Sequence, residues 1–204
     1  FHQQVGYWLF GAATLTHPLL VADLRNPTVR DRYSAVRPVL VKYDRLDLYE
    51  QLLDLLGCAR LTRKQVEVHL QALERAFDAA VACDRSNFRF GYDLSEIARP
   101  IAIGGSRALI ESGSHREAVF WMVATFYRCL IVFSLDSESG NTDAHHAAFR
   151  RLLKDLGVEG ADDLDQRSIQ IRESLPEVMK AADMIAERNP EIRYQVRTHK
   201  RERE

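Results

Sequence analysis

The stretch that most constrains this chain is 114–135, SHREAVFWMVATFYRCLIVFSL, which is apolar on nearly every side. Ser114 and Glu117 have the spacing of a capping box, so a helix is predicted to begin here. Between Ala118 and Phe133 the only charged residue is Arg128. A helix that lacks a polar face needs other helices around it. The stretch therefore predicts the buried central helix, about 114–135, of a multi-helix bundle.

A membrane-spanning segment is the other interpretation of such a helix. The apolar run is shorter than the roughly 20 residues that a bilayer requires, and Arg128 interrupts it. The three cysteines, Cys58, Cys83 and Cys129, are far apart and odd in number, which favours reduced thiols over a disulfide framework. We therefore expect a cytoplasmic protein without a membrane partner.

Helical signals also fill the rest of the chain. Thr62 and Gln65 form a second capping box, followed by apolar residues at spacings of three and four. Pro38 predicts a break in the helix that contains it. Ser174 with Glu177 predicts the start of a new helix. No hairpin dipeptide and no long alternating run is present, so the predicted fold class is all-α.

The predicted organisation is a single helical domain over 1–190, followed by a charged tail over 191–204. The chain begins with Phe1 rather than methionine and enters a helical pattern almost at once. This beginning indicates a cut inside a longer protein, of which we expect the chain to be the C-terminal part.

A candidate ligand site lies on the central helix. His115, Arg116 and Glu117 occupy its first turn, where free backbone amides and the helix dipole favour anions. Trp121 and Arg128 follow on the same helix, and a charge in apolar surroundings normally has a carboxylate or ligand partner. Tyr92 and Asp93, from the irregular aromatic segment 84–93, complete the candidate set. The alternative is a helix cap plus one structural ion pair.

Other chemistry receives less support from the sequence. The net charge of −1 gives no strong signal for nucleic acid. His145 and His146 are adjacent on a helix and point about 100° apart, so they do not form a metal pair, and we expect neither a metal nor a catalytic residue here. Gly104 and Gly105 lack phosphate-loop spacing, and each costs about 1 kcal/mol in a helix, which predicts a close approach or a break.

An arginine precedes a histidine by six positions twice, at Arg63 to His69 and Arg193 to His199. This spacing resembles the motif of HEPN-type helical ribonucleases, in which the pair acts on the scissile phosphate. His69 lies in a good amphipathic pattern and His199 in the charged tail. Solvated faces of a helix and a tail are the simpler interpretation of both pairs.

Two segments of predicted helix are rich in small and aromatic residues: 108–129, ALIESGSHREAVFWMVATFYRC, and 175–192, LPEVMKAADMIAERNPEI. In these features the chain resembles the helical C-terminal domain of nucleotidyltransferases of the polymerase-beta-like, aminoglycoside-adenylyltransferase type. The opening 2–15 resembles the helix that leaves their catalytic domain. The family's catalytic signature, Gly-Ser followed by Asp-x-Asp, is absent: Ser106 and Ser114 follow glycines, but Asp163 and Asp165 come much too late.

The resemblance implies a non-catalytic accessory domain on the substrate side of a nucleotidyltransferase-like protein. Magnesium and a nucleoside triphosphate would then belong to a catalytic domain ahead of Phe1, and this chain would hold no cofactor. The expected partners are that domain, a small-molecule acceptor and, as an alternative, further copies of the chain in a homo-oligomer. A helical protein-protein interaction module and a HEPN-type ribonuclease are the alternative functions.

Overall fold

The computed structural model describes residues 1–84, 86–136 and 140–192, and this part of the chain is helical without any strand. The predicted all-α fold class is therefore confirmed. The α-helices are α1 (His2–Thr14), α2 (Thr16–Ala22), α3 (Arg32–Lys42), α4 (Leu46–Leu55), α5 (Arg63–Ala82), α6 (Gly105–Glu111), α7 (His115–Leu135), α8 (Asp143–Asp155) and α9 (Ala161–Arg188). Short 3₁₀ turns, Val29–Asp31 and Gly91–Leu94, and a π-helical turn, Pro100–Gly104, join some of them. The predicted tail lies, from residue 193 on, outside the described residues.

Helix α7 occupies the centre of the bundle. It packs against α1, α5, α6 and α8, and between residues 117 and 133 only Trp121 and Ile131 are not buried. The prediction of a buried central helix is confirmed, and its physical reason is the absence of a polar face. Aromatic rings connect α7 to its neighbours: Phe120 meets Phe10 of α1, and Phe126 meets Phe149 of α8.

Two stretches, His2–Ala22 and His115–Leu135, are long and apolar enough to cross a membrane when only length and composition are considered. In the fold, 61% and 78% of their most apolar windows are buried inside the protein. Core helices of helical bundles share this property, because they too are apolar over many turns.

Three predictions about helix ends are wrong. Ser114 precedes α7 but its side chain makes no capping hydrogen bond to the described backbone. Its amide donates to the carbonyl oxygen of Leu109, and Glu117 accepts from Tyr49 instead. Helix α3 continues through Pro38, where Val39 and Leu40 are buried against neighbouring helices. Tertiary packing there outweighs the local cost of proline.

Helix α9 likewise runs without a break past Ser174 and through Pro176. The Ser174 hydroxyl donates to the carbonyl of Gln170 inside the helix, and Glu177 forms an ion pair with Arg45, the residue before α4. By contrast, the predicted capping box of Thr62 and Gln65 is present at the start of α5 and is confirmed.

The glycine pair lies at the junction of the π-helical turn and α6. A Cβ on Gly105 would lie 2.8 Å from Nη1 of Arg30, whereas no described atom lies within 4 Å of a Cβ on Gly104. The group closest to the second glycine is therefore an arginine side chain, and the close packing of helices that the glycine pair predicted is not found at these two positions.

The C-terminal ends of α4 and α8 meet at one arginine of α9. Arg167 donates from Nη1 to the carbonyl oxygen of Asp54 at 2.8 Å and from Nη2 to that of Leu156 at 3.0 Å. Gly57, with φ +79°, turns the chain after α4 directly against the backbone of Leu156. The last carbonyl groups of a helix have no partner within it, so Arg167 supplies donors to two helix ends at once.

The start of α1 packs against α8 through histidine rings. The His2 ring lies 5.6 Å from that of His146 and 5.8 Å from that of Phe149, measured between centroids. Burial lowers the pKa of His2, and the nearby positive charges of His146, the amino terminus and Arg150 lower it further. The fold therefore favours the neutral ring.

We expect the fold to lose stability as the pH falls below neutrality. The lowered pKa of His2 means that the unfolded chain binds the proton more readily than the folded chain. The stability that the neutral His2 ring contributes is therefore complete above about pH 6.5 and declines as the pH drops through that value. Urea unfolding at pH 7.5 and pH 5.5 measures this loss. His2→Phe should make the loss smaller, and an equal loss in the variant would contradict the assignment to His2.

Candidate functional site

The N-terminal turn of α7 carries three of the predicted site residues, and the fold engages each of them. His115 contacts the carbonyl oxygen of Leu61 through Nε2 at 3.0 Å. Arg116 holds Glu50 of α4 with two hydrogen bonds of 2.7 and 3.0 Å, and this carboxylate raises the pKa of the guanidinium.

Glu117, the third residue of this group, is 5% exposed and accepts a hydrogen bond from the Tyr49 hydroxyl. Burial raises the pKa of Tyr49, and the hydrogen bond to the Glu117 carboxylate raises it further. The tyrosine therefore stays protonated and serves as a donor to the carboxylate. These contacts anchor α7 to α4.

A second group of predicted residues converges further along α7. Arg128 is 6% exposed and donates from Nη1 to Asp93 Oδ2 at 3.0 Å. Its guanidinium carbon lies 5.2 Å from the centre of the Trp121 ring and 5.0 Å from that of Phe90. Trp121 and Arg128 are seven residues apart, which places them two turns apart on one helix face. The charge is held by two aromatic faces and one carboxylate.

Two donors in this group have no partner among the described residues: the Nε atom of Arg128 and the indole Nε1 of Trp121, both buried. Buried donors without acceptors are uncommon in folded proteins, and each needs an explanation. The other tryptophan is satisfied, because Trp8 Nε1 donates to the carbonyl oxygen of Leu55 at 3.1 Å. We call Arg128, Trp121, Asp93 and Phe90 the Arg128 cluster.

The segment over the Arg128 cluster is short and rich in exposed aromatic side chains. Phe90 is 42% exposed and Tyr92 is 70% exposed, while Leu94 is buried and holds the end of the 3₁₀ turn Gly91–Leu94. The Asp93 side chain is 41% exposed. Solvent therefore reaches the outer side of the carboxylate that Arg128 holds.

The seven predicted residues thus form two groups. Eleven positions separate Glu117 from Arg128, which is about 16 Å along a helix axis. Tyr92 joins the second group through its neighbour Asp93, and its carbonyl oxygen accepts from the Ser95 hydroxyl. The sequence did not single out Phe90 as a site residue, although its place in an irregular aromatic segment was a usable signal.

The sequence also contains candidate metal ligands, among them two adjacent histidines. In the described residues no group of three or more His, Cys, Asp or Glu side chains is placed to hold a metal ion. His145 stacks on Phe133 and His146 lies beside His2, so the adjacent histidines point to different neighbours.

The Arg63 and His69 side chains also go to different partners. Arg63 pairs with Glu67 on the exposed side of α5, whereas His69 is 3% exposed and contacts Asp155 of α8 at 2.8 Å. This arrangement does not favour a phosphate-cleaving pair. The second pair, Arg193 and His199, lies outside the described residues.

A groove of about 740 Å³ between α4 and α9 was not predicted from the sequence. Four carboxylates line it, from Glu50, Asp54, Glu173 and Glu177. Arg116 and Arg45 already pair with Glu50 and Glu177, so part of this negative charge is neutralised within the fold. No local pattern could have indicated the groove, since its walls are more than 100 residues apart in the chain.

Burial keeps two of the three thiols out of nucleophilic chemistry. Cys58 and Cys129 are fully enclosed, and burial raises the pKa of both thiols far above the usual range. Such thiols are protonated at neutral pH and are inert as nucleophiles.

Comparisons with family models, with curated proteins and with solved structures find no match for the chain.

Proposed function

We propose that this chain is a helical, substrate-side domain of a nucleotidyltransferase-like protein, and that it binds an acceptor without performing catalysis. The observation that carries the proposal is the Arg128 cluster. A buried guanidinium loses its hydration, so it persists only where partners replace the water. Here the partners are incomplete, since two buried donors have no described acceptor.

The cluster is suited to binding rather than to bond cleavage. Arg128 supplies a permanent positive charge and a planar donor edge. Trp121 and Phe90 supply flat apolar faces beside this charge, and Tyr92, two residues after Phe90, is largely exposed. In the proposed arrangement these groups orient an acceptor, and the resemblance assigns magnesium and the nucleoside triphosphate to the catalytic domain.

The first test separates binding from catalysis. The chain is mixed with a nucleoside triphosphate, magnesium and a panel of acceptors, and nucleotide transfer is followed by release of pyrophosphate. We expect no transfer, and turnover by the chain alone would overturn the proposal. The reading frame ahead of Phe1 is the second test, because it should encode Gly-Ser followed by Asp-x-Asp.

In the intact protein we expect Arg128→Met to raise the KM for the acceptor roughly 10- to 100-fold, the value of a lost charged hydrogen bond, with a smaller effect on kcat. Steady-state kinetics over a range of acceptor concentrations measure both parameters. Arg99→Met is the matched control, because Arg99 pairs with Asp78 on the surface and lies outside the cluster. An equal rise in KM in both variants would count against the site.

A helical interaction module is the second candidate. Its support is a set of exposed apolar side chains in the connection between α5 and α6: Tyr92, Ile97 and Ile101 are 70%, 73% and 55% exposed. Light scattering at several protein concentrations tests the self-associating form. A dimer that Ile97→Asp dissociates would favour this candidate, and a monomer at every concentration would count against it.

A further inference from the structure

The Arg128 cluster has more donors than acceptors. Both unpartnered atoms, Nε of Arg128 and Nε1 of Trp121, carry hydrogens that can only be donated. Among the described residues the single oxyanion on Arg128 is the Asp93 carboxylate, and it uses one edge of the guanidinium. A guanidinium presents five N–H donors in a fork that matches a carboxylate or a phosphate with two bonds. The deficit in the cluster is therefore one of oxygen acceptors.

The Asp93 carboxylate lies where an oxyanion from a ligand can replace it on Arg128. Asp93 belongs to a turn of four residues that packs on α5 and α7, and its side chain is 41% exposed. The guanidinium also lies over the ring of Trp121, which belongs to the same helix as Arg128 and not to the turn. If the Asp93 carboxylate moves outward, Arg128 keeps Trp121 as a neighbour and gains a free edge.

We infer that Arg128 binds an oxyanion of the ligand, a carboxylate or a phosphate attached to a flat ring, and that Asp93 occupies this position until the ligand displaces it. The flat ring is assigned by Phe90, whose ring lies 5.0 Å from the guanidinium carbon and is 42% exposed. The ligand oxygens take the Nη1 donor that Asp93 releases, together with Nε of Arg128 and Nε1 of Trp121, which lack partners. The inference rests on the proposed function in that it names the acceptor class, but its test needs no catalytic domain.

The indole N–H resonances give a direct measurement. The chain has two tryptophans, so a ¹⁵N–¹H spectrum contains two such signals, and Trp121→Phe assigns them. Trp8 is an internal reference, because its N–H is buried and already bonded to Leu55. Titration with phenyl phosphate and with benzoate should move the Trp121 signal to saturation and leave that of Trp8 in place.

Variants of the two charged residues decide between a site and a structural ion pair. Asp93→Asn removes the internal competitor and should tighten phenyl phosphate binding by about tenfold, while Arg128→Met should abolish it. Arg128→Lys should restore only part of the affinity, since an ammonium lacks the planar fork. Arg99→Met should bind like the parent chain.

The outcomes separate this inference from the proposed function. Absence of a saturable shift in both the parent chain and Asp93→Asn would overturn the oxyanion site, and so would equal weakening by Arg99→Met. Binding of inorganic phosphate as tightly as phenyl phosphate would overturn the assignment of a flat ring. If Arg128→Met does not fold, the tighter binding expected of Asp93→Asn still decides whether Arg128 binds an oxyanion. Nucleotide transfer by the chain alone would overturn the proposed function and leave the oxyanion site standing.

Discussion

Phe120→Ala is expected to lower the free energy of unfolding by about 3–5 kcal/mol. Phe120 is 0% exposed in the second turn of α7, and its ring lies 5.6 Å from that of Phe10 and 6.0 Å from that of Tyr33. The substitution removes contacts between α7 and both α1 and α3, and the cavity cannot close because three helices line it. Since domains are stable by about 5–15 kcal/mol, this is a large fraction of the total.

Urea denaturation followed by far-ultraviolet circular dichroism measures the change. Tyr7→Ala is the matched control, because Tyr7 is an aromatic residue on α1 that is 77% exposed, and its replacement should alter the stability by no more than about 0.5 kcal/mol. Similar effects of the two substitutions would mean that α7 is not enclosed by the other helices.

Gly57→Ala is the second substitution with a large expected effect, about 2–5 kcal/mol of lost stability. With φ +79°, an alanine pays about 1–2 kcal/mol for the left-handed conformation. Its Cβ would also collide with the backbone carbonyl of Leu156 and lie 3.0 Å from the carbonyl carbon, and overpacking of this kind costs about 1–3 kcal/mol more. The obstacle is backbone held by Arg167, so it cannot rotate away.

Two other glycines separate the cost of the left-handed conformation from the cost of the steric clash. Gly113 has φ +88° with no described atom within 4 Å of an added Cβ, so Gly113→Ala should show only the conformational cost of about 1–2 kcal/mol. Gly104 has φ −59° and equally open surroundings, so Gly104→Ala should stabilise the fold by about 0.5–1 kcal/mol. Thermal unfolding of the three variants should rank them in this order, and another order would contradict the geometry.

Local patterns predicted what depends on neighbouring residues in the chain. The central helix followed from an apolar run in which Arg128 is the only charge, and the Thr62 cap from a motif of four residues. The predictions failed where a distant residue intervened: Glu117 leaves its expected cap because Tyr49, 68 positions earlier, donates to it. Pro38 likewise stays inside a helix, because Val36, Val39 and Leu40 around it are buried against neighbouring helices.

The candidate site was predictable only in part for the same reason. The isolated charge of Arg128 indicated that some partner must exist, and the aromatic segment before α6 indicated where one could come from. The sequence could not show that Asp93 reaches Arg128 while His115, Arg116 and Glu117 are engaged elsewhere, since these contacts depend on how the helices cross.

The position of Arg167 constrains the order in which the molecule can be completed. Its two carbonyl partners belong to helices that are synthesised earlier, and their ends lack this donor until the ninth helix docks. In a chain truncated before residue 161 the last turns of these two helices should open more often, and their amides should therefore exchange hydrogen faster. During synthesis, the ends of the fourth and eighth helices should remain frayed until the ninth helix has emerged from the ribosome.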